Sequence, residues 1–384
     1  MNLKTTLLII EIASAREKRL TDSVKNPLKA LLTKRIKSLK GPLRRLLLSE
    51  NFVLYLTLVF FLILWPIVPR IASLRNLTNL LSNMWPLLIL AIGQMFVLIL
   101  GGIDLSQTSV MATASVLGAI FMTSEVDPVL FSKSPFWGLL LTTEGGVLSG
   151  SPLAVPVGIL IMLFVGVLIG LFNGIAVAKF KMPPFMVTLV SMIFFSGLAI
   201  YLTKSENIIH LPDAYVAIGR GKIGFFTYSF FIAGLLAMLA QLLLNRTVIG
   251  RWFYAVGKNI KAAVISGVPT TRVILLGYML SGFCAALAAI LYSARLEGGR
   301  PTLGQNLLLD IIGAAVIGGI SLFGGKGKVH WALFGVFFFT LLANALNMLN
   351  LSFFTINIVK GAVILLAALI DVTRIRILAR TSTS

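Results

Sequence analysis

Asn245-Arg-Thr-Val-Ile-Gly-Arg-Trp-Phe-Tyr-Ala-Val-Gly-Lys-Asn-Ile-Lys-Ala-Ala-Val-Ile-Ser-Gly-Val-Pro-Thr-Thr-Arg272 stands between two uncharged runs, 223–244 and 273–294. At 1.5 Å per residue, roughly 20 apolar residues in a helix cross a bilayer core, so each run predicts a span. The stretch between them carries five basic residues, Arg246, Arg251, Lys258, Lys261 and Arg272, and no acidic one. Asn259 is placed to cap a short helix, 260–266, which Gly267 and Pro269 end. Two readings follow: an ordinary solvated basic loop, or a capped helix held between two spans that another protein can grip. We take the second, a handle by which another protein moves this one.

The same alternation runs through the rest of the chain. Of 384 residues 58% are hydrophobic and 12% charged, and the mean hydropathy is +0.97. Soluble domains are nearer a quarter charged, so the composition predicts an all-α polytopic membrane protein. Uncharged runs at 52–69, 84–103, 105–124, 151–178, 182–203, 223–245 and 273–294 predict seven spans. Beyond 300, Asp310 and Lys360 interrupt the apolar sequence, and spans are expected at about 303–325, 330–349 and 352–371, ten in all. Cys284 is the single cysteine, which excludes an intrachain disulfide. His210 and His330 are too few for a metal cluster, and no metal site is expected. The net charge of +20 lies largely in the first fifty residues and in loops, the pattern of an inner-leaflet protein and not of a nucleic-acid binder.

Charge also sets the expected orientation. With both termini cytoplasmic, the inner segments hold 24 basic residues and the outer ones eight, together with six acids. The expected layout is a basic cytoplasmic segment 1–50, a transmembrane domain 51–373 and a cytoplasmic tail 374–384. The segment 1–50 holds twelve Lys/Arg. Glu11 breaks the short apolar core of Met1–Ala15, so cleavage as a signal peptide is not expected. Apolar residues at helical spacing over 26–40 read either as an amphipathic helix on anionic membrane lipid or as a disordered basic tail. Residues 125–150, rich in Gly, Ser and Pro, read as an exposed outer insertion.

Several polar positions interrupt the spans. In Gly101-Gly102-Ile103-Asp104-Leu105-Ser106 two glycines and a carboxylate at membrane depth mark a broken helix or close packing through glycine. Gly318-Gly319-Ile320-Ser321-Leu322-Phe323-Gly324-Gly325 echoes it in the second half. Both stretches end inward-running spans, which does not suit an inverted repeat. Asn173, ahead of the Lys181-Met-Pro-Pro-Phe185 break, reads as an interhelical hydrogen bonder. Asp310 and Lys360 lie at matching depths, roughly 10 Å below the outer start of their spans; either they form an ion pair between the spans, the reading we take, or Lys360 snorkels outward and Asp310 meets water separately. Asp104, Asn173, Asp310 and Lys360, with Gly101, Gly102, Gly318 and Gly319, are the candidates for a translocation path or helix breaks. No phosphate-binding Gly-rich loop, zinc-binding His-Glu-x-x-His or nucleophile elbow occurs, so no catalytic residue and no cofactor is assigned to this chain.

Four blocks resemble the membrane permeases of ABC importers for ribose and related sugars. They are Leu100–Ser106, Gly170–Gly174 running on to Pro183–Leu189, Gly250–Gly267, and Asp310 through Val316–Gly325. The resemblance implies a type II ABC-importer-like permease of about ten helices in the cytoplasmic membrane, paired as a homo- or heterodimer. It implies a separate ABC ATPase subunit that uses the ATP and an extracytoplasmic substrate-binding protein. It also implies that the short helix at 259–267 fits a groove on the ATPase, with Gly257, Asn259, Ala262, Ala263 and Gly267 on matching positions. The cargo would be a pentose, hexose or related polyol, or, in relatives of similar layout, a nucleoside or branched-chain amino acid. Two other classes stay open from the residues alone: a proton-coupled secondary transporter using Asp104, Asp310 or Lys360, and an intramembrane aspartyl hydrolase using Asp104 and Asp310.

Overall fold

The computed structural model describes Ser49 and residues 52–381, with side chains to Leu369. The basic segment 1–48, with its expected amphipathic stretch, lies outside the described residues. Residues Val53–Leu369 form one compact unit.

Each of the ten expected spans contains a helix. Among the described residues six helices are long and apolar enough to cross a membrane: α2 (Leu74–Ile99), α5 (Ala154–Ala178), α6 (Pro184–Thr203), α8 (Tyr228–Arg246), α11 (Thr270–Arg295) and α13 (Val329–Met348). Four apolar helical stretches among the described residues are shorter: α1 (Phe52–Ile67), α3 (Gln107–Met122), α12 (Leu308–Gly318) behind a 3-10 turn at Gln305–Leu307, and Phe353–Leu369, the first part of α14 (Phe353–Thr381). Between them lie the short helices α4 (Pro128–Phe131), α7 (Asp213–Arg220), α9 (Val248–Lys258) and α10 (Ile260–Ile265). Two small hairpins complete the order, β1 (Leu141–Thr142) with β2 (Gly145–Gly146), and β3 (Lys222–Ile223) with β4 (Phe226–Thr227). The α14 backbone stays helical to Thr381, so the expected tail 374–384 continues the last helix as far as described.

Helix limits depart from the uncharged runs where polar residues find partners. α2 begins at Leu74, ten residues before the expected span, with the Ser73 hydroxyl accepting from Asn76 N at 3.3 Å. Its first turns keep polar residues because Asn76 pairs with Asn344 (2.9 Å) and Asn83 accepts from Arg295 (2.8 Å). α12 stops at Gly318 with Gly319 as its C-cap, well short of the expected end at 325. The following residues, 319–328, form an irregular turn and not the end of a span.

The centre of the domain is α2 against α11. α5 and α3 pack on α11, and α12 and α13 pack on α2. Small residues permit the closest of these contacts: a Cβ at Gly166, Gly170 or Gly282 would overlap the facing backbone between α5 and α11, and one at Gly318 or Gly335 would do so between α12 and α13. Hydrogen bonds and packing place the ends of the helices. The C-terminal end of α2 meets the turn before α13 and the α9–α10 segment. At the opposite end the start of α2 meets the end of α13, and Ile208 pairs with Gly299 through two 2.9 Å backbone bonds.

Consecutive apolar helices therefore alternate in direction, and the second five (α8, α11, α12, α13, α14) run opposite to their counterparts in the first five (α1, α2, α3, α5, α6). Both glycine stretches, 101–102 and 318–325, lie at one end and touch. By element order, the place that the break after α2 holds in the first half is held in the second by Glu297-Gly-Gly-Arg-Pro-Thr-Leu-Gly304, the Gly-Gly turn between α11 and the short α12. Residues 125–150 fold back on the end of α3: Phe131, Leu141, Gly145 and Gly146 are buried, and Gly146 N donates to Thr123 O at 2.8 Å. Exposed Val129 and Leu139 mark its outer surface.

Candidate functional site

The α2–α3 break is held by a buried polar network. Asp104 is 2% exposed. Its Oδ1 accepts from Ser106 N (2.9 Å) and Ser106 Oγ (2.6 Å), and its Oδ2 accepts from Ser281 Oγ (2.6 Å) on α11. Ser106 Oγ accepts in turn from Asn173 Nδ2 on α5 at 2.8 Å, and Ser191 of α6 donates to Asn173 Oδ1. Gln107 Nε2 donates to Ser281 Oγ at 2.9 Å. With the Gln94 amide in the orientation its partners require, it bonds both the N–H (3.3 Å) and the C=O (3.0 Å) of Asp104. A carboxylate out of water is costly unless charge-assisted hydrogen bonds compensate it, and the Ser106 N–H with the hydroxyls of Ser106 and Ser281 supply them here. Two buried polar atoms at this network, Gln107 Oε1 and the Tyr278 hydroxyl, make no hydrogen bond among the described residues.

One step from the break lies the 245–272 segment. It is not a loop but two helices. Thr247 caps α9, accepting from Gly250 N at 3.1 Å, and Gly250, Phe253 and Val256 are buried at helical spacing. Phe253 sets its ring edge on Phe96 of α2, centroids 5.7 Å apart. Asn259 then caps α10, its Oδ1 accepting from Ala262 N at 3.1 Å, and Gly267 (φ 77°) leads the chain out. α10 buries Ala263 alone, while Ile260, Val264 and Ile265 face outward, Ile265 87% exposed.

Between α9 and α10 the chain presses on the break. A Cβ at Gly257 would overlap the Ile99 carbonyl, and Gly325 N donates to that same carbonyl at 2.8 Å. At Gly324 (φ 86°) a Cβ would stand 2.7 Å from Gly257 O and 3.1 Å from Gly101 Cα. The Tyr254 hydroxyl donates to Gly327 O at 2.7 Å, and burial raises its pKa above the ordinary phenol value. Three chain segments thus meet backbone to backbone at the α10 end.

Asp310 and Lys360 form a separate feature. Lys360 Nζ stands 2.7 Å from Asp310 Oδ1 and donates to Oδ2 at 2.9 Å, joining α12 to α14. Each is buried, 8% and 7% exposed. Asp104 and Asp310 each have their own partners and share no proton, so they do not make the close carboxylate pair that an aspartyl hydrolase requires.

A family model described as the permease component of the branched-chain amino acid transport system matches residues 76–368. The chain belongs to this permease family. It is 36% identical over 305 residues to the ribose import permease protein RbsC of Bacillus subtilis (strain 168), covering 79% of this chain and 86% of that protein. It is 30% identical to the xylose transport system permease protein XylH of Haemophilus influenzae (78% and 89% covered) and 28% identical to the L-arabinose ABC transporter permease protein AraH of Azospirillum brasilense (85% and 88%). No solved structure matches.

The permease is thus a multi-pass membrane transport component and not an enzyme. The matched span holds the Asp104 network, the glycine junction and the Asp310–Lys360 pair. Of the positions chosen from sequence, the fold unites Gly101 and Gly257 at the junction and, through Ser106, Asp104 with Asn173 in the network, while Gly102 faces Tyr278 and Pro184. Gly318 and Gly319 end α12 nearby, and Asp310 and Lys360 stand apart. Sequence reading missed Gln94, Gln107, Ser191, Ser281 and Tyr254. The two glutamines carried a usable signal, an amide inside an otherwise apolar run. The serines carried none, because hydroxyls are common in spans.

Proposed function

We propose that this permease is the membrane subunit of an ATP-driven importer that carries a pentose or related sugar across the cytoplasmic membrane. The similarity to the ribose permease over most of both chains carries this reading, and the xylose and arabinose relatives support the substrate class. A separate ABC ATPase docks on α10, where Gly257, Asn259, Ala262, Ala263 and Gly267 build or flank the capped helix. A substrate-binding protein meets the opposite face, and a second permease chain completes the path. Ten crossings with both termini inside agree with the alternating helix directions and with the excess of Lys/Arg on the α10 side. Asp104, Asn173 and the break glycines then shape the moving core, and the Asp310–Lys360 pair fixes α12 to α14.

ATP-dependent ribose accumulation in proteoliposomes holding the permease with its ATPase and binding protein tests the reading. Equal uptake without the ATPase overturns it in favour of a gradient-driven carrier. The family's description favours a second cargo, branched-chain amino acids; leucine that blocks ribose uptake, or replaces it as cargo, would decide for that.

A further inference from the structure

We infer that the junction of Ile99–Gly101, Gly257–Lys258 and Gly324–Gly325 is a rigid transmission block. It would carry movement of α10 into the helix breaks instead of letting α10 slide over them. The inference rests on the proposed docking of an ATPase at α10 and adds where the motion goes next. Its grounds are the contacts themselves.

The Ile99 carbonyl, at the last turn of α2, receives the Gly325 N–H and also lies where a Gly257 side chain would be. Gly324 abuts both Gly257 O and Gly101 Cα. A Cβ at Gly325 would stand 2.9 Å from Lys258 Cγ. Tyr254, one turn before Gly257, ties α9 to Gly327. No flexible side chain intervenes between the three backbones at Gly257, Gly324 and Gly101, so displacement of one must displace the others.

From there two routes leave the block. Residues 319–328 lead into α12 and α13. Residues 100–106 lead through Asp104, whose hydrogen bonds reach α11 directly and, by way of Ser106 and Asn173, α5 and α6. Asp104 is on this account a positioning residue that keeps the break in register with the core.

Spin labels at Lys261→Cys and Lys326→Cys, both exposed sites, read the block directly in the assembled transporter. Cys284→Ser supplies the background. The 261–326 distance is expected to stay constant between nucleotide-free and ATP-bound states, while the distance from 326 to a label at Glu144→Cys, an exposed site in the β1–β2 hairpin beyond the far end of α3, changes. A 261–326 distance that shifts with nucleotide overturns the inference.

Gly324→Ala and Tyr254→Phe give a functional arm. Solute moved per ATP hydrolysed is expected to fall about tenfold in Gly324→Ala, a typical size for coupling between sites, and less in Tyr254→Phe. Unchanged stoichiometry in both variants overturns the proposal. Should Gly324→Ala not assemble, Tyr254→Phe and the label distances decide it. A wild-type complex that neither binds an ATPase nor moves solute with ATP counts against the proposed function, whereas a coupled wild type with a sliding junction counts against the block alone.

Discussion

Asp104 illustrates what a single buried charge does in this fold. Its carboxylate accepts only from donors, so Asp104→Asn would turn an amide N–H₂ toward hydroxyls already committed elsewhere. We expect that change to cost about 1–3 kcal/mol, the penalty of leaving buried polar groups unsatisfied, measured as a lower thermal unfolding midpoint in detergent. The Asp310–Lys360 pair obeys a different arithmetic. Removing one partner leaves an uncompensated buried charge, about 3–5 kcal/mol, whereas replacing both with apolar residues of similar size is often neutral or stabilising. Lys360→Met is therefore expected to destabilise strongly and Lys360→Met with Asp310→Leu to recover most of the loss. A double variant as unstable as the single would mean that the pair does more than compensate charge. Both sites were visible in the sequence as charges within apolar runs. The Asp104 partners were not, since Ser191 and Ser281 become distinctive only when helices bring them to Asn173 and Asp104.

Helices α9 and α10 show how capping builds an element from a polar stretch. Asn259 and Gly267 mark α10 in the sequence, and the structure places its helix at Ile260–Ile265 with that cap. Loss of the cap in Asn259→Ala is expected to cost about 1 kcal/mol and to weaken ATPase binding in co-purification, with Asn259→Asp restoring it because a carboxylate caps equally well. α9 escaped sequence reading because its buried face is three residues wide, Gly250, Phe253 and Val256, between Arg246, Arg251 and Lys258. Its helix is stabilised by docking on Phe96 as well as by its cap, a tertiary contribution that no local pattern reports. The α5–α11 contact is a second such case. Gly166→Val would force the two backbones apart, and we expect loss of folded protein at the level of size-exclusion profiles, while the same change at Gly197, which faces open space, leaves the profile unaltered.

Across the whole molecule the decisive quantity is direction. If α10 lies inside and the 125–150 segment outside, Lys261→Cys and Glu144→Cys, on a Cys284→Ser background, are labelled by an impermeant thiol reagent from opposite sides of the membrane. Labelling of both from one side would reject the alternating layout. The amino-acid sequence by itself determined that the chain is helical and membrane-embedded, because hydrocarbon admits only long apolar segments that satisfy their own backbone hydrogen bonds. It also marked the capped helix and the intramembrane charges, which are local in cause. Only the tertiary structure decided that the two glycine stretches touch and that three backbones meet beside α10. Glycine contributes no side chain to a sequence pattern, and a contact made by its absence is specified only by what stands opposite.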